Sequence, residues 1–315
     1  MSSNATQNAT HIAAELLERH PKEPPTISHR LPVRPASAPE PCAATQWIQN
    51  RHRSFRPRIG IVLGSGLGDL AQAIEQPTKI AYRDIPGFPE PKVAGHSGQL
   101  VLGLLEGAQV AVLQGRCHLY EGWSLEESLR PLRTVLELGI ELLILSNASG
   151  GITPRFHSGQ VVAIDSHINW LFQSTKSPNP HDSSGSILMR HDRTYDARWL
   201  AKAQETAEEL GFALPCATYL ATLGPNYETR AEYRAFGRLG ADIVGMSTVP
   251  ESILAMQLGI PVLAFSVVTN VANPDIPTAT EHNDVLAWSS MARSRLEPLV
   301  SRIASKYFST TNSNH

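Results

Sequence analysis

The sequence predicts an α/β fold, and three observations point there. Short apolar runs rich in β-branched residues alternate with amphipathic helical stretches through the back half of the chain. Several of those runs end in glycines or small polar residues. The 315 residues, 42% of them hydrophobic, suffice to bury a full core, and the unbroken alternation favours one large domain over two.

The opening strand, from Arg58 to Leu63, stops at Gly64-Ser65-Gly66-Leu67-Gly68. A strand, a glycine turn and a helix start aim several backbone N–H groups at one point with the positive helix end behind them, which favours an anion. Neither common phosphate loop fits: Asp69 stands where a dinucleotide fingerprint needs its third glycine, and no lysine follows. Asp84 does lie near the spacing of a ribose-binding acid, and a plain structural turn is the remaining reading.

Lysine and arginine number 27 against 29 acids, with no long run of one sign, so neither nucleic acid nor an anionic membrane is expected as a partner. Cys42, Cys117 and Cys216 are scattered and imply neither a disulfide framework nor a zinc site, as suits a reduced, cytoplasmic chain. Met1 to Leu17 lacks the basic start and apolar core of a signal peptide, and no segment reaches the length of a membrane span. Prolines crowd the stretch up to Pro41, so residues 1–41 are expected to be a disordered extension, 42–308 the folded domain and 309–315 a frayed end.

In order, the pattern predicts a short helix over Ala43–His52, the first strand, and a helix over Leu67–Glu75. Residues 86–98 are too rich in proline and glycine for regular structure; carrying His96, they read as a lid or as an inert connection. Gln99–Leu104 and Gln109–Gln114 form a hairpin turned at Glu106-Gly107. If extended geometry persists beyond it, Arg116, His118 and Tyr120 share a face, giving either an oxyanion-binding surface capped by an aromatic ring or an exposed polar strand end. Ser124 and Glu127 make a capping box for a helix to about Leu138, with Pro131 marking a late start or a kink.

Glu141–Ser146 is a strand expected to end in a second donor-rich turn at Asn147-Ala148-Ser149-Gly150-Gly151. Val161–Ile164 is the next strand, and His167 after it reads as a satisfied structural residue. Residues 173–193 are polar and irregular. Tyr195–Leu210 is an amphipathic helix stopping at Gly211. Thr218–Leu223 is a strand leading into Gly224-Pro225-Asn226-Tyr227-Glu228-Thr229 and a helix to about Leu239. Asp242–Gly245 leads into Met246-Ser247-Thr248-Val249-Pro250-Glu251, whose proline opens a helix ending at Gly259. Val262–Thr269 is a buried strand delivering Asn270, and Asn283 caps a last helix interrupted by Pro298. Polar groups thus gather at the carboxyl ends of strands, where α/β folds bind ligands.

Five motifs stand in one order: Gly64 to Gly68; Gly95-His96-Ser97-Gly98; Arg116-x-His118-x-Tyr120-Glu121-Gly122; Asn147 to Gly151; and Gly224 to Thr229 followed by Val244 to Glu251. Together they resemble the trimeric class of purine nucleoside phosphorylases over about residues 57–290. The resemblance implies a single α/β domain around a mixed, partly closed sheet flanked by helices. It implies reversible phosphorolysis of 6-oxopurine ribonucleosides or deoxyribonucleosides, such as inosine and guanosine, to free base and pentose 1-phosphate in purine salvage. Inorganic phosphate is a co-substrate; no cofactor or metal is implied, and the assembly implied is a homotrimer.

By the same resemblance phosphate is held by Ser65, His96, Arg116, His118, Ser247 and the backbone at Ala148. Glu228 and Asn270 hold the purine with Tyr227 packed on it, and Tyr120, Met246 and His282 face the sugar. Asn270, His118 and Glu228 are the residues expected to carry catalysis. A carboxylate at 228 accepting from N1–H favours a 6-oxopurine. Asn270 and Ser247 separate the chain from the methylthioadenosine branch, which usually has an acid and a threonine there. A methylthioadenosine or xanthosine phosphorylase, and a binding module without turnover, are the alternatives.

Overall fold

The strand β1 (Ile59–Leu63) is buried along its whole length, as an apolar run with a neighbour on each side must be. It pairs in parallel with β4 (Ala108–Gln114) on one side and β5 (Leu142–Gly151) on the other. The computed structural model that shows this describes residues 42–64, 67–173, 194–272 and 282–312. The expectations for residues 1–41, for Ser65 and for nearly all of the 173–193 segment lie outside the described residues.

β3 (Gln99–Leu105) and β4 form the expected antiparallel hairpin, with β2 (Glu75–Ala81) added outside it. On the other side, β5 joins β8 (Ile243–Gly245), then come β7 (Cys216–Ala221), β6 (Val161–Asn169) and β9 (Val262–Val271), and β9 returns to β5. Five strands therefore close on themselves while β1, β4, β3 and β2 extend as an open wing, a mixed and partly closed sheet.

Side chains alternate across β1, Ile59, Ile61 and Leu63 entering one core and Val62 the other. Helices α1 (Ala43–Arg51), α2 (Leu125–Glu137) and α5 (Val249–Gln257) cover the Val62 face. α3 (Ala197–Glu209) and α6 (His282–Asn312) cover the other, and α4 (Arg230–Arg238) sits over the β7–β8 edge. Each such buried aliphatic residue contributes about 1.5–3 kcal/mol.

Several expectations are corrected. Gly68–Ala73 is a 3-10 segment rather than an α-helix running to Glu75, and β2 starts directly after it. The Gln114 amide holds the Gly68 carbonyl at 2.8 Å, and the chain must turn at once to pair with β3. β2 escaped notice because five of its seven residues are exposed, so it carries no apolar alternation. Asp84 lies exposed on a 3-10 turn, not at a strand end, which removes the ribose-acid reading.

Asn147–Gly151 is not a turn. β5 runs on through it because β9 pairs alongside, with a bulge where Gly150 meets Asn270 and Thr269 is skipped. The β1 ladder ends at Leu145 and β8 joins only at Gly150, so Ser146–Ser149 are laddered on the β9 side alone. Extended geometry after β4 stops at His118, and Leu119–Glu121 is a 3-10 turn, so Tyr120 shares no strand face with Arg116.

α2 begins directly after its Ser124 cap with Pro131 inside it, so there is no late start. α6 is continuous from His282 to Asn312: Asn283 lies within it and Pro298 does not interrupt it. Its buried stripe of Leu296, Leu299, Val300 and Ile303 outweighs the proline, since helices in proteins owe most of their stability to packing. Among the described residues no helix is long and apolar enough to cross a membrane.

Candidate active site

Arg116 follows β4 by two residues and is 6% exposed, a charged group that burial tolerates only when paired. Its Nη1 donates to Ser247 Oγ and its Nη2 to the Ser146 carbonyl, each at 2.9 Å, and its Nε lies 3.1 Å from Glu251 Oε1. The other Glu251 oxygen has no hydrogen-bond partner among the described residues. Arg116 thus ties β4, β5 and the start of α5 together while its guanidinium edge meets a hydroxyl that an anion can share.

Gly115 lets the loop before β3 come close. Its φ is +111°, and a β-carbon there would lie 2.7 Å from His96 Cβ. The rings of His96 and His118 are 5.2 Å apart, and His118 stacks on Tyr120 at 4.8 Å. His118 Nδ1 lies 3.2 Å from Glu121 Oε1. A carboxylate only accepts, so Nδ1 carries the proton and Nε2 is directed away from Glu121. Burial raises the Glu121 carboxyl, but hydrogen bonds from the His118 ring and backbone and the Lys92 backbone bring it below its ordinary value.

Ser247 sits between β8 and α5, its N–H donating to the buried Tyr219 hydroxyl at 3.3 Å. The next residue, Thr248, has φ +71°, a left-handed conformation that a β-branched side chain rarely adopts. It is held by Asn147 Nδ2, which donates to Thr248 Oγ1 at 2.8 Å, and by Ser252, whose N–H and hydroxyl both reach the Thr248 carbonyl. Such strain is typically about 1–3 kcal/mol and persists where the surroundings over-determine it.

Tyr120 and Met246 converge over Gly224, whose φ is +73°: a β-carbon there would lie 3.0 Å from Tyr120 Cδ1 and against the Met246 sulfur. Burial pushes the Tyr120 phenol up to about 12. Beyond Gly224, Glu228 stands just before Thr229, the N-cap of α4, and accepts from the Thr222 hydroxyl at 3.2 Å. Burial raises its carboxyl above the usual range, with Thr222 and Tyr233 pulling the other way. Asn270 lies opposite Gly150 across the β5–β9 bulge. Tyr227 is 47% exposed at the rim.

The structure therefore joins Arg116 to Ser247, His96 to His118 and Tyr120, and Tyr120 to Met246 at Gly224, with Glu228 and Asn270 further along. Ala148 lies between the two ends, on the part of β5 laddered on one side only. Ser65 is outside the described residues; the backbone of His282 opens α6, and its side chain is likewise outside them. His167 is structural as expected, its Nδ1 3.2 Å from the Tyr195 hydroxyl and its pKa lowered by burial.

Sequence reasoning missed Ser146, Tyr219, Glu251 and Tyr233. The available signal was Ser146 and Asn147 inside an apolar strand, since buried polar groups need specific partners.

A model of the phosphorylase superfamily matches residues 58–305. Purine nucleoside phosphorylase 1 of Bacillus subtilis is 41% identical over 252 residues, covering 80% of this chain and 93% of its own. The purine nucleoside phosphorylase of Bos taurus is 38% identical over 263 residues, covering 81% and 91%. The crystal structure of a schistosoma purine nucleoside phosphorylase in complex with hypoxanthine has a TM-score of 0.76 at 33% identity, covering 86% of this chain and 99% of that one. With sequence, sheet topology and the motif order in agreement, the chain belongs to the phosphorylase superfamily.

Proposed function

We propose that this chain catalyses reversible phosphorolysis of 6-oxopurine ribonucleosides and deoxyribonucleosides, releasing hypoxanthine or guanine and a pentose 1-phosphate. The relatives named above are purine nucleoside phosphorylases, and the schistosoma structure binds hypoxanthine. The observation that carries the reading is that β5 joins two chemically different ends, the Ser146 carbonyl under Arg116 and Gly150 under Asn270.

At the first end Arg116, Ser247 and His118 hold inorganic phosphate, with Ser65, His96 and the Ala148 backbone completing the cradle. Phosphate is already a dianion for much of its population near neutral pH, so the site has to position it beneath C1′ rather than generate a nucleophile. A phosphate oxygen bonds to C1′ as the bond to N9 breaks, and the electron pair leaves with the purine. Tyr120 and Met246, with His282, line the sugar between the two ends.

At the second end Asn270 donates an N–H toward N7 as negative charge gathers on the base. Such a donor binds the transition state better than the substrate and is worth about 3–4 kcal/mol of barrier. Glu228 accepts from N1–H, a proton that hypoxanthine and guanine have and adenine lacks. We read the protein as a cytoplasmic homotrimer of purine salvage, on the family resemblance.

The test is release of hypoxanthine from inosine and phosphate, followed by its absorbance change. Binding without base release overturns the enzyme, and adenosine or methylthioadenosine as the best substrate overturns the roles of Glu228 and Asn270.

A further inference from the structure

Tyr233 belongs to no motif, yet it stands between the two residues assigned to the purine. It lies on α4 one turn after the Thr229 cap, its ring packed at the edge of a small cluster with Phe236 and Val244. A β-carbon on Gly150 would be 3.3 Å from the Tyr233 hydroxyl and 3.5 and 3.6 Å from Asn270 Oδ1 and Nδ2, so hydroxyl and amide converge on one point. The phenol interacts with both groups, the Asn270 amide and the Glu228 carboxylate. A carboxylate can only accept, so the phenol donates to Glu228 and receives from the Asn270 amide.

We infer that Tyr233 is a positioning residue for the purine end, orienting the Asn270 carboxamide and holding Glu228 as the acceptor that a 6-oxopurine needs. This rests on the purine assignment proposed above. Asn270 Oδ1 faces the Thr269 hydroxyl at 3.3 Å, and Nδ2 gives one hydrogen to Tyr233. The single Thr269 hydrogen also reaches the Ser149 carbonyl at 3.2 Å, so it is the phenol, already donating to Glu228, that turns Nδ2 toward itself and leaves the second N–H for the base. Without the phenol the amide is free to turn its oxygen toward N7, where it repels instead of donating.

The same phenol bears on the charge of Glu228. Burial disfavours the carboxylate, and Tyr233 with Thr222 opposes that. The titratable groups facing Glu228 are Tyr233 and Glu232 on α4 and Tyr227 beside it, and Asp284 on α6 faces Tyr227. Loss of the phenol therefore favours the protonated acid, which offers a donor in place of an acceptor and suits N1 of adenine.

The experiment is Tyr233→Phe, which keeps the ring in its packing, with kcat/KM measured against pH for inosine and adenosine. The acid limb for inosine should move up by about 1 pH unit, and the inosine-over-adenosine preference should fall by about tenfold, while phosphate KM stays unchanged. Phosphate's own ionisation is common to both proteins and cancels in the comparison. 3-Fluorotyrosine at position 233 keeps the shape and strengthens the donor, so the same limb should move down. Wild-type turnover of inosine with an unmoved limb and unchanged preference in both proteins overturns this inference alone. A wild type that releases no base from inosine overturns it together with the function proposed above.

Discussion

Arg116 Nη1 meets Ser247 Oγ at 2.9 Å across 131 positions of sequence, joining the end of β4 to the loop before α5. With phosphate as the anion they share, removing the guanidinium takes away charge-assisted bonds in the ground state and the transition state alike. Arg116→Ala should raise phosphate KM by about ten- to a hundredfold with a smaller change in kcat, read from initial rates at varied phosphate. An unchanged phosphate KM would remove Arg116 from the phosphate end.

Asn270 behaves differently, because its contact strengthens only as the base departs. Asn270→Ala should lower kcat by about 10²–10³ while phosphate KM stays within a few fold of the parent. Equal losses in kcat and phosphate affinity would show instead a general disturbance of the β5–β9 bulge.

Glu228 gives a prediction in which activity and stability part company. Its carboxyl is raised in the folded protein chiefly by burial. The folded state therefore binds a proton more readily than the unfolded chain, so the group's contribution is fully present below its unfolded pKa and is lost as pH rises through the folded one. Glu228→Gln should abolish most inosine turnover yet raise Tm relative to the parent on the alkaline side of that titration. Thermal melts across pH check it; a Tm difference that does not vary with pH contradicts the burial argument.

Glu251 faces Arg116 from α5 with both groups buried. Truncating one member of such a pair leaves the other charge uncompensated, at about 3–5 kcal/mol. Glu251→Ala should lower the unfolding free energy by that order, and added inorganic phosphate should narrow the gap by supplying an anion to Arg116. Unfolding curves with and without phosphate distinguish this from lost packing, which phosphate does not repair.

Much of the wing and the closed half was legible because β1, β5 and β9 are apolar runs with punctuating glycines, and because the cap at Ser124 announces its helix. What escaped was set by tertiary pairing. Asn147–Gly151 has the composition of a turn and becomes strand because β9 lies beside it. β2 is mostly exposed and polar and is strand only through β3. Arg116 and Tyr120 were grouped for a shared strand face; what holds them near each other is a 3-10 turn and the stacking of His118 on Tyr120. Tyr233 was invisible because an aromatic at helical spacing beside Phe236 reads as core.

One strand carries both ends of the proposed site. From Ser146 to Gly150 is four steps of extended backbone, about 13 Å at roughly 3.3 Å per residue. That interval is a ruler cut into a rigid sheet and does not depend on hinge motion. Linked ligands joining an anionic group to a purine should therefore show a sharp optimum in tether length, and those made too short or too long should engage one end and dangle from it.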